Sequence, residues 1–180
     1  SGIGQISLMQ AALLTSEIPA DVTGWWVSEK YDGVRAIWTG TKLISRNGKD
    51  LNAPASFTAG FPNRRLDGEL WMGRGTFDLL VSTIQKAGSD WAGVRFMVFD
   101  LAESGNFEER NERLFSIPLP RQCCYVIHFQ LANNDYLDGI ERDIVAAGGE
   151  GCVIRRPGSK YRPGRMGDVI KVKRLVEDID

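Results

Sequence analysis

Histidine is nearly absent from this chain: His128 is the single one among 180 residues. It lies in the apolar stretch from Tyr125 to Phe129, which reads as a buried strand, so it reads as a core residue. Histidine-based triads and His-rich metal centres are thereby poor readings. Cysteine is scarce too. Cys123, Cys124 and Cys152 are odd in number, two of them are adjacent, and zinc-ligand spacing is missing, which argues against a disulfide framework and a structural zinc site. No apolar run approaches membrane-spanning length. No secretory leader is visible at the start, where Ser1-Gly2 reads as a cloning remnant, and the compartment, cytoplasm or periplasm, stays open. There is no internal repeat, no low-complexity segment and no glycine-rich phosphate loop ahead of a helix. Nor is there an excess of either charge: 22 Lys and Arg against 23 Asp and Glu give a net charge of -1. That balance speaks neither for nor against nucleic acid.

What is present is enough apolar content, 43%, for one well-filled domain. The cations are unevenly spread. Arg155, Arg156, Lys160, Arg162, Arg165, Lys171, Lys173 and Arg174 follow one another with only Asp168 opposed, which suggests a basic surface built from a loop and two strands.

The stretch with most chemistry in it is Ser28-Glu29-Lys30-Tyr31-Asp32-Gly33-Val34-Arg35. Trp25 to Ser28 and Val34 to Trp38 read as strands, with Asp32-Gly33 as the bend between them. Lys30 then closes one strand and Arg35 opens the next. A lysine amine fixed at a strand end becomes a nucleophile when burial or neighbouring cations favour its neutral form. Taken alone, Lys-x-Asp-Gly is a weak pattern and reads equally well as an exposed lysine beside a hairpin turn.

Further along, Met9 to Leu14 gives a short helical possibility. Lys42 to Ser45 reads as a strand closed by the turn Arg46-Asn47-Gly48. Asn52 to Arg64 reads as a connecting loop. Leu66 to Trp71 is a strand with Asp67 and Glu69 in an apolar frame, a setting in which carboxylates need partners. Phe77, Leu80, Val81 and Ile84 share a helical face, with Gly88 placed as a cap. Val94 to Leu101 reads as a strand, Phe107 to Leu114 as a charged helix, and Asn134 to Ala147 as an amphipathic one. Glu150 stands at the mouth of a strand running to Arg155. In Val169 to Lys173, alternation puts Lys171 and Lys173 on one face.

The ordered set Lys30-Tyr31-Asp32-Gly33-Val34-Arg35, Ser45-Arg46-Asn47-Gly48, Asp67-Gly68-Glu69-Leu70, Phe99-Asp100, Glu150-Gly151 and Lys171-Val172-Lys173 resembles the covalent nucleotidyltransferase superfamily. Within it, the chain looks like the adenylation domain of the minimal bacterial and viral ATP-dependent DNA ligases. The likeness runs from about Leu8 to Lys173. It implies an α+β fold, ATP-grasp-like, with two mostly antiparallel sheets flanked by helices and a central nucleotide groove. It implies a domain over residues 1–174, with 175–180 beginning a linker to an oligonucleotide-binding barrel absent from the sequence.

The resemblance also assigns roles. Lys30 becomes lysyl-AMP, using ATP as the AMP donor. Lys171 and Lys173 favour the neutral amine and neutralise charge on the phosphates. Glu29, Arg35 and Glu69 bind the nucleotide, the last two at the ribose. Phe99 and Val153 sandwich the adenine, and Cys152, beside Val153, either lines that slot or only packs there. Glu150 and Glu69 hold Mg²⁺ or Mn²⁺. Arg46 meets the 5′-phosphate of nicked double-stranded DNA, Asp32 assists sealing, and Arg162 and Arg165 bind the DNA backbone. A monomer without a membrane partner is implied. An RNA ligase, a capping-type guanylyltransferase and a non-catalytic nucleotide- or DNA-binding module remain as alternatives.

Overall fold

The computed structural model describes residues 18–162 and 167–172; the helical possibility at Met9 to Leu14 lies outside them, as do Arg165 and Lys173. Among the described residues are nine strands and four helices, arranged as two sheets. The mixed α+β class read from the sequence is borne out. The chain divides into two compact units, one holding the chain up to Lys30 and again from His128, the other spanning Tyr31–Ile127.

In the first unit the sheet runs β7 (Phe129–Gln130), β1 (Trp26–Glu29), β8 (Cys152–Arg155), β9 (Val169–Val172), every neighbour antiparallel. Helix α4 (Asn134–Ala146) starts at Asn133, whose side chain accepts from the Tyr136 amide. Val27, Leu137, Cys152, Ile154, Ile170 and Val172 are buried together in one core, with Ile140 and Ile144 packed against it. Each such side chain contributes roughly 1.5–3 kcal/mol when fully buried. Strand alternation turns Trp26, Ser28, Val153 and Lys171 to the opposite face.

In the second unit the sheet runs β3 (Leu43–Ile44), β2 (Val34–Trp38), β4 (Leu66–Trp71), β5 (Arg95–Leu101), β6 (Cys123–Tyr125), with only the β5–β6 pair parallel. Helices α1 (Ala55–Thr58), α2 (Phe77–Gln85) and α3 (Phe107–Ser116) contribute Phe57, Leu80 and Leu114 to the core, where Ala36, Trp38, Leu66, Leu70, Phe96 and Val98 meet them. A capping box holds the start of α3: the Asn106 side chain accepts from the Glu109 amide, and Glu109 accepts from the Asn106 amide.

Three expectations need correction. The single strand read from Tyr125 to Phe129 is two strands, β6 and β7, and they lie in different sheets. The loop read over Asn52 to Arg64 contains α1, whose Phe57 is buried among Phe61 and Trp91 rings. The basic surface read over Arg155 to Arg174 does not expose every cation either, since Arg155 is buried and Arg156 is paired with Asp168 at 3.2 Å and stacked on Trp25 at 4.7 Å.

Candidate active site

Lys30 is the first residue after β1. Its amide donates to the Gly151 carbonyl at 2.9 Å, which extends the β1–β8 pairing one step and fixes the backbone there. Its Nζ lies 2.6 Å from Glu150 Oε2, and the two side chains are 21% and 19% exposed. The pair is thus reachable by a ligand yet shielded enough for its charge to matter. The sequence led one to expect cations around the amine. The contact it makes is with a carboxylate, and Lys171 sits exposed on β9, register partner of Val153, which in turn faces Ser28.

Asp32-Gly33 does not close a hairpin. The strands on either side belong to different sheets, so the bend carries the chain from one unit into the other. Its glycine is required by close approach. A Cβ on Gly33 would stand 2.0 Å from the Leu70 carbonyl oxygen, and the Gly33 amide donates to Glu69 Oε2 at 3.2 Å. Next to it, Tyr31 packs on Trp71 with ring centroids 4.7 Å apart. Asp32 is exposed.

On the face of the second sheet away from its helices, Arg35 is opposite Glu69, two pairs from Asp67. Its Nε and Nη2 donate to the two Asp67 oxygens, each at 2.7 Å, and its guanidinium lies 5.0 Å from the centre of the Phe99 ring. Asp67 is almost wholly buried, so a charge there needs this bidentate partner. Phe99 owes its position to a β-bulge. Asp67 pairs with Asp100 but Gly68 pairs with Val98, which leaves Phe99 as an extra residue on β5. Sequence reading marked Asp67 as needing a partner and missed that the partner would be Arg35; the signal was the two-residue offset across antiparallel strands.

The remaining residues fall as follows. Glu29 ends β1 and is half-buried; Phe99 belongs to the second unit and Val153 to the first. Arg46 is exposed in the turn after β3, and Arg162 is exposed in the loop after β8. Cys152 does not line a slot: it is fully buried on the core face, and burial, with the Glu141 charge adding, pushes its thiol up to about 12. Among the described residues no three His, Cys, Asp or Glu side chains gather into a metal cluster. Mg²⁺ and Mn²⁺ prefer oxygen donors, and Mg²⁺ keeps several waters, so a single carboxylate such as that of Glu150 has the donor chemistry for such an ion without a larger cage.

This fold is that of the nucleotidyltransferase domain of DNA ligases. A Lig E DNA ligase studied for DNA binding with a minimal scaffold superposes with a TM-score of 0.80 at 35% identity, covering 85% of this chain and 63% of that one. A Chlorella virus DNA ligase-adenylate superposes at 0.73 with 22% identity, covering 88% of this chain and 63% of that one. In sequence, the chain is 35% identical over 158 residues to a DNA ligase of Haemophilus influenzae, covering 84% of this chain and 59% of that protein. The resemblance to DNA ligases read from the motifs is borne out, and the chain spans about three fifths of the length of that curated relative. No protein-family model matches the chain. No described helix is long and apolar enough to cross a membrane.

Proposed function

We propose that this chain is the nucleotidyltransferase part of an ATP-dependent DNA ligase, with Lys30 as its nucleophile and nicked double-stranded DNA as its polymer substrate. The observation that carries the reading is the partly exposed Lys30–Glu150 contact at a strand end. Attack requires a free lone pair on Nζ, so the ammonium must give up a proton, and Glu150 is the carboxylate in reach. The neutral amine then attacks the α-phosphorus of ATP. A nitrogen–phosphorus bond forms, the bond from the α-phosphorus to the bridging oxygen breaks, and pyrophosphate leaves with that electron pair.

AMP next passes from Lys30 to the 5′-phosphate of the nick, which Arg46 holds. Finally the 3′-hydroxyl attacks that phosphate and AMP departs, with Asp32 assisting. Lys171 and Lys173 neutralise phosphate charge in these steps. Phe99 and Val153 stack on the adenine. Glu69 and Arg35 meet the ribose, and Glu29 lies beside the nucleotide. Mg²⁺ or Mn²⁺ held by Glu150 and Glu69 would supply further charge neutralisation at the phosphates. Arg162 and Arg165 grip the DNA backbone.

Intact-mass measurement after incubation with ATP and Mg²⁺ tests the reading, with peptide mapping to place the adduct and GTP, RNA nicks and pre-adenylated DNA nicks as comparisons. One AMP on Lys30, and sealing of DNA nicks, are expected. An adduct on another lysine, uptake of GMP in preference, or no adduct together with no sealing would each sink it.

A further inference from the structure

The hairpin that carries Arg46 holds two other cations to which no role has been given. Lys42 precedes β3 and Lys49 follows the turn, both exposed, so three cations fall within eight residues. None of the three has an acidic partner among the described residues, unlike Arg64, Arg113 and Arg156, which are all ion-paired. Asp50, the nearest carboxylate in sequence, is occupied with the Asn52 amide at 2.8 Å.

The backbone beneath these cations is tied at both ends. At the turn, the Ser45 amide donates to the Lys49 carbonyl at 2.7 Å, the Gly48 amide to the Ser45 carbonyl at 2.9 Å, and the Lys49 amide to Ser45 Oγ at 3.1 Å. Gly48 takes the positive φ of 83° that the turn demands. At the other end, the Lys42 amide donates to Thr39 Oγ1 at 3.2 Å and the Thr39 amide to the Lys42 carbonyl at 3.0 Å. Between them, Leu43 is buried in the core opposite Trp38. The charges therefore stand on a fixed rail at the edge of the sheet, without ordering cost for its backbone.

We infer that this edge hairpin is a phosphodiester-backbone rail: Lys42 and Lys49 engage backbone phosphates that neighbour the one that Arg46 takes. The inference rests on the DNA-ligase reading above and extends it to two lysines. From Lys42 to Ser45 the strand covers about 10 Å, at ~3.3 Å per residue. One strand of a duplex carries a charge about every 3.4 Å of axis, so the rail spans several phosphates and a single-phosphate ligand leaves most of it unused. A rail of lysines reads no bases and predicts binding that is indifferent to sequence.

The experiment is the salt dependence of binding to a nicked duplex, measured for the wild-type chain, for Lys42→Ala/Lys49→Ala, and for Lys86→Ala/Arg121→Ala. The last pair removes the same charge from two other exposed, unpaired cations. Removing the rail should lower the slope of log affinity against log salt by about two, at roughly 0.9 per phosphate contact. The control pair should leave the slope alone, and AMP uptake by Lys30 and thermal unfolding should be unchanged in both. A slope unchanged by Lys42→Ala/Lys49→Ala, or lowered equally by the control, overturns the rail while the ligase reading stands. Wild-type chain that neither takes up AMP nor binds the duplex sinks the reading on which the rail rests.

Discussion

Each unit holds an ion pair close to the proposed chemistry, and the two are built differently. In the second unit Arg110 and Asp100 are 0% and 1% exposed, with Nε to Oδ1 at 2.9 Å, and Arg110 also donates to the Gly105 carbonyl at 2.7 Å. In the first, Lys30 and Glu150 are each about a fifth exposed and joined at 2.6 Å. A buried guanidinium with several fixed acceptors cannot leave without stranding a charge, so its pair is structural. A partly exposed ammonium on a carboxylate gives up little when an incoming ligand replaces that partner. The lesson is that burial, more than distance, separates the pair that holds the fold from the pair that can be spent in a reaction.

The largest effect that sharpens this contrast is on activity. Lys30→Ala should abolish the AMP adduct seen by intact mass, yet shift unfolding free energy by less than about 1 kcal/mol. A loss of several kcal/mol would mean that this pair, too, is structural, and the comparison would collapse. Next in size, Arg110→Met should cost about 3–5 kcal/mol in urea unfolding, because Asp100 is left buried and uncompensated. Near-neutral stability there would break the contrast from the other side.

A smaller effect comes from the thiols, one buried in each unit. Burial is the main cause that pushes both Cys123 and Cys152 up to about 12 from 9.0. The folded chain then keeps those protons where the unfolded chain has lost them. Their contribution to stability is complete below about pH 9 and drains away as the pH climbs towards 12. Chemical denaturation at pH 8 and pH 10.5 should show the fall, and Cys123→Ala/Cys152→Ala should reduce its steepness. Steepness unchanged in that variant would assign the fall to other groups.

The smallest effect belongs to a surface pair. The Arg64 guanidinium holds the Glu103 carboxyl below the usual range, with Arg113 adding to it. A lowered carboxyl stabilises the fold above the usual carboxylate range and loses that contribution as pH drops. The side chains are open to water, so Glu103→Gln should cost under about 1 kcal/mol at pH 7 and less still in high salt. A cost near that of Arg110→Met would show that exposure does not grade these pairs.

Much of this was legible from residue order. The strands Leu66 to Trp71 and Val34 to Trp38 were read as such, the helices over 77–85 and 134–146 follow from their apolar faces, and that over 107–116 was read as a charged helix from Phe107 to Leu114. Lys30 was found because a strand end, a turn and an arginine fall in one short stretch. The split at Val126 to His128 was not legible, because a short apolar run looks the same whether it serves one sheet or passes between two. Asp32-Gly33 misled for the opposite reason. Its residues suit a tight turn, but which strands a turn joins is decided by long-range pairing. Arg155 was read into the basic surface because it stands in a run of cations, and its burial depends on strand β8 lying between β1 and β9.

The bulge at Phe99 has an evolutionary reading. Leu66 to Asp67 pair in one register with Leu101 to Asp100, and Gly68 onwards pair one residue out of step. Strike out Phe99 and the two registers become the same: the ladder heals, with every other partner kept. The aromatic ring proposed to bear on the nucleotide is therefore a single extra residue in an otherwise regular antiparallel pair of strands. A scaffold that can gain or shed its base-stacking side chain by one codon, with the core on the other face undisturbed, can acquire a ligand site without first redesigning its fold.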